Sequence, residues 1–138
     1  MRGRPEPDPD VPRRARHDWW GVVLDAPDPH RLARFYSELL GWPIAKEDDD
    51  GAAIAPAEGV AYLGFQRADG YVPPVWPARE GAPRMSTHLD FEVTDLRVAV
   101  AHALELGARE AEFQPQDTVR VLIDPAGHPF CLYADGAG

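Results

Sequence analysis

Residues 19–25 alternate between two faces, with Trp20, Val22 and Leu24 on one side and Gly21, Val23 and Asp25 on the other. That is the period of a half-buried strand. Asp28 and Pro29 then open a helix: an Asp side chain accepts from the free first-turn amides, and Pro suits the first helical position. Leu32, Phe35, Tyr36, Leu39 and Leu40 recur at helical spacing as one apolar face, and Gly41 followed by Pro43 ends the run. The acidic turn Asp48-Asp49-Asp50-Gly51 precedes two short strand candidates at 52–55 and 60–67.

The same plan returns 67 residues later. Residues 87–93 alternate, Asp95 stands where Asp28 stood, and Leu96, Ala99, Val100, Ala103 and Leu104 form the helical stripe that Gly107 closes. Strand candidates follow at 109–113, 118–123 and, after the turn Asp124-Pro125-Ala126-Gly127, at 128–134. Each half reads as a strand, a helix, then two or three strands. A half of this kind leaves one sheet face bare, so the halves are expected to pair, within one chain or between chains. Residues 68–86 join them, and Pro73, Pro74, Pro77 and Pro83 with Tyr71 and Trp76 make this segment too irregular for an element and too aromatic for a plain linker.

Composition narrows the classes. A net charge of −9 argues against nucleic acid, whose phosphates are bound by Lys and Arg; Arg13, Arg14 and Arg16 are a local cluster among acids. Apolar residues make up 44% of the chain, and no apolar run approaches membrane-spanning length. Residues 1–18 mix Pro, Arg and acids without periodicity or an apolar centre, and are expected to be a disordered leader. Cys131 is the single cysteine, which suits a reducing compartment, with the cytoplasm the expected location.

The stretches LDAPDPHRLARFYSELLGW, HLDFEVTDL and DPAGHPFCLY resemble the vicinal oxygen chelate superfamily, the glyoxalase/bleomycin resistance/dioxygenase group, and within it the small glyoxalase-like domain proteins. The resemblance spans residues 19–133. It implies an α+β fold of two βαβββ modules, residues 19–67 and 87–134, whose curved mixed sheets form a ligand cup, with 68–86 as connecting loop, 135–138 as a tail, and a homodimer as the usual assembly. In the family's metal enzymes, four ligands, usually His, Glu or Gln, come from the first and last strand of each module. They hold a divalent ion that chelates two neighbouring substrate oxygens.

Carried onto this chain, the first-strand ligand lies seven residues before the helix-starting Asp, at Gly21 and His88. The last-strand ligand falls at Cys131, seven after Asp124, and its counterpart in the first half is Gly64, with Gln66 one register away. Glycines offer no side-chain donor, and catalytic metals take at least three protein ligands, so the inherited metal centre is expected to be lost and no cofactor is expected. Removal of side chains at Gly21 and Gly64 is expected to widen the cup floor.

The remaining candidates share the cup face by strand alternation. Asp90 and Glu92 lie on the side of His88, and Asp25 on the side of Gly21. Such carboxylates pair with a cationic ligand or act as acid and base beside His88. Tyr62 and Tyr133 join them, with Trp76 from the connecting loop, as aromatic walls for a flat or cationic ligand. Cys131 reads as a small buried hydrophobe, with a soft ligand or a nucleophile as the alternatives. Trp20, Phe65 and Phe91 face the helices and read as core. The expected function is that of a metal-independent small-molecule binder sequestering an aromatic or cationic compound, such as an antibiotic. The alternative is a glyoxalase-like lyase, isomerase or dioxygenase using His88 with Asp90 or Glu92, with or without a divalent metal.

Overall fold

The computed structural model describes residues 1–135. The chain divides into two units, Met1–Asp69 and Gly70–Gly138. The first carries β1 (Trp20–Ala26), α1 (Pro29–Leu40), β2 (Ile44–Asp48), β3 (Gly51–Ile54) and β4 (Ala61–Arg67) in a sheet of order β1-β4-β3-β2. Strands β1 and β4 run parallel, and the other neighbours are antiparallel. The second unit repeats this with β5 (Leu89–Glu92), α2 (Leu96–Glu105), β6 (Arg109–Glu110), β7 (Val119–Ile123) and β8 (Pro129–Tyr133), in the order β5-β8-β7-β6. The fold is α+β, with two βαβββ modules and two open mixed sheets. The sequence repeat survives in the pairing register: Leu24 lies opposite Phe65, and their counterparts Phe91 and Leu132 also lie opposite each other.

Capping explains where the helices begin. The Asp28 carboxylate accepts from the Arg31 amide at 3.1 Å and that of Asp95 from the Val98 amide at 3.0 Å. Gly41 stops α1 at φ +70°, a left-handed position that suits a residue without Cβ, and its N–H donates to the Ser37 carbonyl at 2.9 Å. The amphipathic face of α1 is buried at Leu32, Phe35 and Tyr36. The Tyr36 ring stacks on Phe65 with centroids 5.8 Å apart, so α1 covers the side of the sheet that carries Leu63 and Phe65. Each such side chain taken out of water contributes about 1.5–3 kcal/mol.

Several expectations differ from the structure. Strand β2 is absent from the sequence reading because all five of its residues are exposed and its composition is charged; the acidic turn is its hairpin, closed by Asp48 Oδ1 accepting from the Asp50 and Gly51 amides at 2.9 and 3.1 Å. Strand β6 has two residues where five were expected. Beyond it, the Gln114 side chain takes the ladder's place: its Nε2 donates to the Ala111 and Val121 carbonyls, and its Oε1 accepts from the Val121 amide, each at 2.8 Å. On α2 only Ala103 is buried and Leu104 is exposed. Trp20, read as core, is 58% exposed because β1 is an edge strand with no neighbour beyond it in its sheet.

The opening residues, expected to be disordered, are tied to the first unit. Arg13 donates to the Pro56 and Gly59 carbonyls at 2.6 and 2.8 Å, and its guanidinium stands 4.7 Å from the centroid of Trp19. Arg4 donates to the carbonyls of Asp18 and Trp19. Asp18 is buried and paired with Arg16, whose guanidinium holds the carboxyl below its ordinary range. Guanidinium groups are well suited to such carbonyl and carboxylate contacts, and the lack of apolar periodicity concealed them. Of the expected tail, residues 136–138 lie outside the described residues.

Candidate functional site

On the side of the first sheet turned away from α1, the register lines up rows of side chains. Val23, Gly64, Ala53 and Lys46 form one row across all four strands. Asp25, Gln66, Gly51 and Asp48 form the next. Gly64 and Ala53 in the first row and Gly51 in the second leave a hollow, and a cavity of about 570 Å³ lies over it. Trp19, Val23, Tyr62 and Phe65 supply its apolar wall, with Lys46, Asp48, Asp50 and Gln66 at its polar margin. A volume in this range suits a drug-sized molecule, and a mainly apolar lining with a few polar groups is the usual make-up of such sites.

Tyr62, on this face by alternation, and Gln66, considered above as the neighbour in register of Gly64, both line the cavity. The Gln66 amide donates to Asp25 Oδ1 at 2.7 Å, which fixes the carboxylate beside it. The two glycines behave differently from expectation. A methyl group at position 21 would lie 2.5 Å from Cε2 of Tyr62, so the tyrosine ring already fills the space over Gly21 rather than leaving the floor wider. At Gly64 the nearest side-chain atom is Val23 Cγ2, 3.2 Å from such a methyl. Gly51 serves a third purpose: a methyl there would meet the Phe65 carbonyl oxygen at 1.9 Å, so the backbones of β3 and β4 approach as only glycine allows.

The second sheet is built differently. On its side turned away from α2, Ala111, Val121, Ile123 and Cys131 form a buried cluster, and Trp76 of the connecting segment packs against it. The Trp76 indole N–H donates to the Phe113 carbonyl at 3.1 Å. Trp76 therefore covers the sheet beside Cys131. Asp90 lies opposite Cys131, and Glu92 opposite Tyr133. His88, just before β5, completes a group in which one donor atom each from His88, Asp90 and Cys131 lies within 4.8 Å of the others. His88 and Asp90 are exposed and Cys131 is buried. Burial pushes the Cys131 thiol above its ordinary value, and the Asp90 charge adds to this, so the sulfur is a protonated group rather than a ready nucleophile at neutral pH. Tyr133 is raised as well, by desolvation and then by Glu92 and Asp90.

A family-type metal site can be tested against these residues. Positions 21 and 64 bring no donor, and the space at the first is taken by Tyr62. The four-ligand arrangement drawn from both modules therefore does not fit this chain. The donors that do converge, His88, Asp90 and Cys131, belong to one module, and Asp90 is not one of the four family positions.

The comparisons agree with the architecture. The family profile of the Glyoxalase-like domain matches residues 21–133, and the chain belongs to that family. A glyoxalase/bleomycin resistance protein/dioxygenase family enzyme from Burkholderia phytofirmans PsJN superposes with a TM-score of 0.64 at 15% identity, over 83% of this chain and 95% of its own. A glyoxalase/bleomycin resistance protein from Albidiferax ferrireducens T118 gives 0.58 at 17%, over 84% and 97%. The genomically encoded fosfomycin resistance protein FosX of Listeria monocytogenes gives 0.61 at 11%, over 83% and 87%. At these identities the likeness is one of fold. No curated protein matches the chain. Among the described residues no helix is long and apolar enough to cross a membrane.

Trp19, Val23, Lys46, Asp48 and Ala53 escaped the sequence reading. Val23 was recoverable, since it shares its face with Gly21 and Asp25. The others depend on the β2–β3 hairpin and on the ordered residues before β1, neither of which the apolar pattern marks.

Proposed function

We propose that this protein is a small-molecule-binding member of the glyoxalase/bleomycin resistance group, holding an aromatic or cationic compound in the first-unit cavity and returning it unchanged. One observation carries the reading: a cavity of about 570 Å³ walled by Trp19, Tyr62 and Val23, with Asp48 and Asp50 at its margin. Aromatic faces attract flat and cationic groups, and among the charged groups at the rim the two carboxylates, Asp48 and Asp50, outnumber Lys46. His88, Asp90 and Glu92, the residues expected to act as acid and base, belong to the other unit. Resistance proteins for bleomycin and fosfomycin occur among the proteins of this fold, which makes an antibiotic one member of the proposed ligand class. Action as a cytoplasmic homodimer completes the proposal, supported by the single cysteine and by the family's usual module pairing.

The test uses N-methylacridinium, a planar aromatic cation, and neutral acridine as probes. Saturable binding is expected, tighter for the cation, with recovery of both probes unaltered by mass spectrometry. Tyr62→Ala is expected to weaken the cation about two- to thirty-fold, the range of one cation–π contact. Absence of saturable binding by both probes, or an affinity that Tyr62→Ala leaves unchanged, would overturn the reading.

A further inference from the structure

We infer that Arg13 is a positioning residue of the first-unit cavity, holding the Trp19 ring in its wall and setting how that ring treats charged and neutral ligands. The inference rests on the proposed ligand-binding function of that cavity. The Arg13 guanidinium stands 4.7 Å from the centroid of the Trp19 ring, within reach of a cation–π contact. Its Nε donates to the Gly59 carbonyl at 2.8 Å and its Nη2 to the Pro56 carbonyl at 2.6 Å. Both carbonyls belong to the connection between β3 and β4, and Ala55, at the start of that connection, lines the cavity. One planar fork therefore ties the ring to the backbone beside it, a task that suits Arg better than Lys.

The chain around Trp19 leaves the ring as the part that needs holding. The β1 ladder begins at Trp20, whose N–H donates to the Val60 carbonyl at 3.0 Å. One residue earlier, alternation puts Trp19 on the side of Gly21 and Val23, and Trp19 and Val23 line the cavity together. Arg4 fixes the backbone here, donating to the Trp19 carbonyl at 3.1 Å and to the Asp18 carbonyl. The ring itself is only half-buried, so packing alone leaves it free to turn about its side-chain bonds. A wall that is ordered before the ligand arrives spares binding the cost of ordering it.

Arg13 also decides what the ring can bind. It stands outside the cavity lining, so Arg13 and a ligand meet Trp19 at different parts of the ring. A guanidinium over the ring already uses the negative potential of its face, and its charge repels a second cation brought close. Trp19 is therefore a stacking surface for the uncharged part of a ligand, while Tyr62, Asp48 and Asp50 receive the positive part.

Titrations of the full-length protein with N-methylacridinium and with acridine, at a pH where acridine is uncharged, test this. Arg13→Ala is expected to weaken acridine about two- to thirteenfold, the cost of ordering one side chain on binding. N-methylacridinium should lose less, because a repulsion is relieved at the same time, so the ratio of cation to neutral affinity rises. General loosening of the fold would not move that ratio. In protein carrying 5-fluorotryptophan, the Trp19 ¹⁹F line, assigned with Trp19→Phe, should move further in Arg13→Ala than the lines of Trp20, Trp42 and Trp76. Arg14→Ala, at the next residue, should leave both affinities and the line unchanged. Acridine binding weakened by less than about twofold, an unchanged ratio or an unmoved Trp19 line would each overturn the inference and leave the binding function standing. Absence of saturable binding in the wild type would overturn both. Circular dichroism identifies a variant that fails to fold, and Arg13→Gln, which removes the charge and the fork, then replaces Arg13→Ala under the same criteria.

Discussion

The ring of Tyr62 occupies the space that a side chain at Gly21 would need, with its Cε2 2.5 Å from where a methyl group would sit. The two residues are direct partners across the parallel β1–β4 pair. In the second unit the corresponding position carries His88, with Pro129 opposite in the repeat. One half of the repeat thus presents an aromatic ring where the other presents a donor atom, and the two units have acquired different surfaces on one backbone plan.

Gly21→Ala is expected to push the Tyr62 ring out of the cavity wall. Because the clash is with a side chain, the stability loss should stay near 1 kcal/mol, the low end for overpacking. N-methylacridinium affinity should fall toward that of Tyr62→Ala. Urea unfolding and a probe titration on the same sample measure the two effects.

Gly51→Ala is expected to be far more damaging. The added methyl would meet the Phe65 carbonyl oxygen at 1.9 Å, and a backbone strand cannot swing aside. A loss of about 3 kcal/mol or more is expected, at the upper end of overpacking, against a small effect for Gly64→Ala, where the contact is Val23 Cγ2 at 3.2 Å. Denaturant midpoints for the three glycine variants should rank Gly51 worst, then Gly21, then Gly64.

Gln114→Ala should destabilise the protein by about 1–3 kcal/mol, because it leaves the Val121 amide and the Ala111 carbonyl without the partners that the Gln114 side chain provides. Gln114→Glu should fall between, since a carboxylate keeps the acceptor and loses the donor. Thermal unfolding of both variants checks the order.

Cys131 keeps its proton above the ordinary 9.0, first through burial and then through Asp90. In the unfolded chain the thiol ionises near that ordinary value. Stability from this group is therefore fully present below about 9.0 and falls as pH rises through the raised folded value. In chelator-treated protein, Asp90→Asn should move the pH profile of iodoacetamide alkylation to lower pH while leaving it above that of an exposed cysteine. A profile unmoved by the substitution would remove Asp90 from the account.

Much of this was legible in the residues themselves. Asp28, Pro29 and Gly41 delimited α1 because capping is local chemistry. The 67-residue repeat carried over into paired strands because register follows from the apolar pattern. Alternation also set His88 and Asp90 on one face. The convergence with Cys131 needed the strand pairing, which no single segment contains. Strand β2 was hidden because an exposed edge strand has no core to impose alternation, and the contacts of Arg4 and Arg13 were hidden because they go to backbone carbonyls, which carry no sequence signal.

Ligand binding on the first-unit sheet can be followed residue by residue. The most direct measurement is a ¹⁵N–¹H chemical-shift titration of the full-length protein with N-methylacridinium. Saturable shifts are expected at Val23, Ala53, Tyr62, Gly64 and Gln66, and at the Trp19 indole. Shifts centred instead on His88, Asp90 and Cys131, with the first-unit signals still, would contradict binding there.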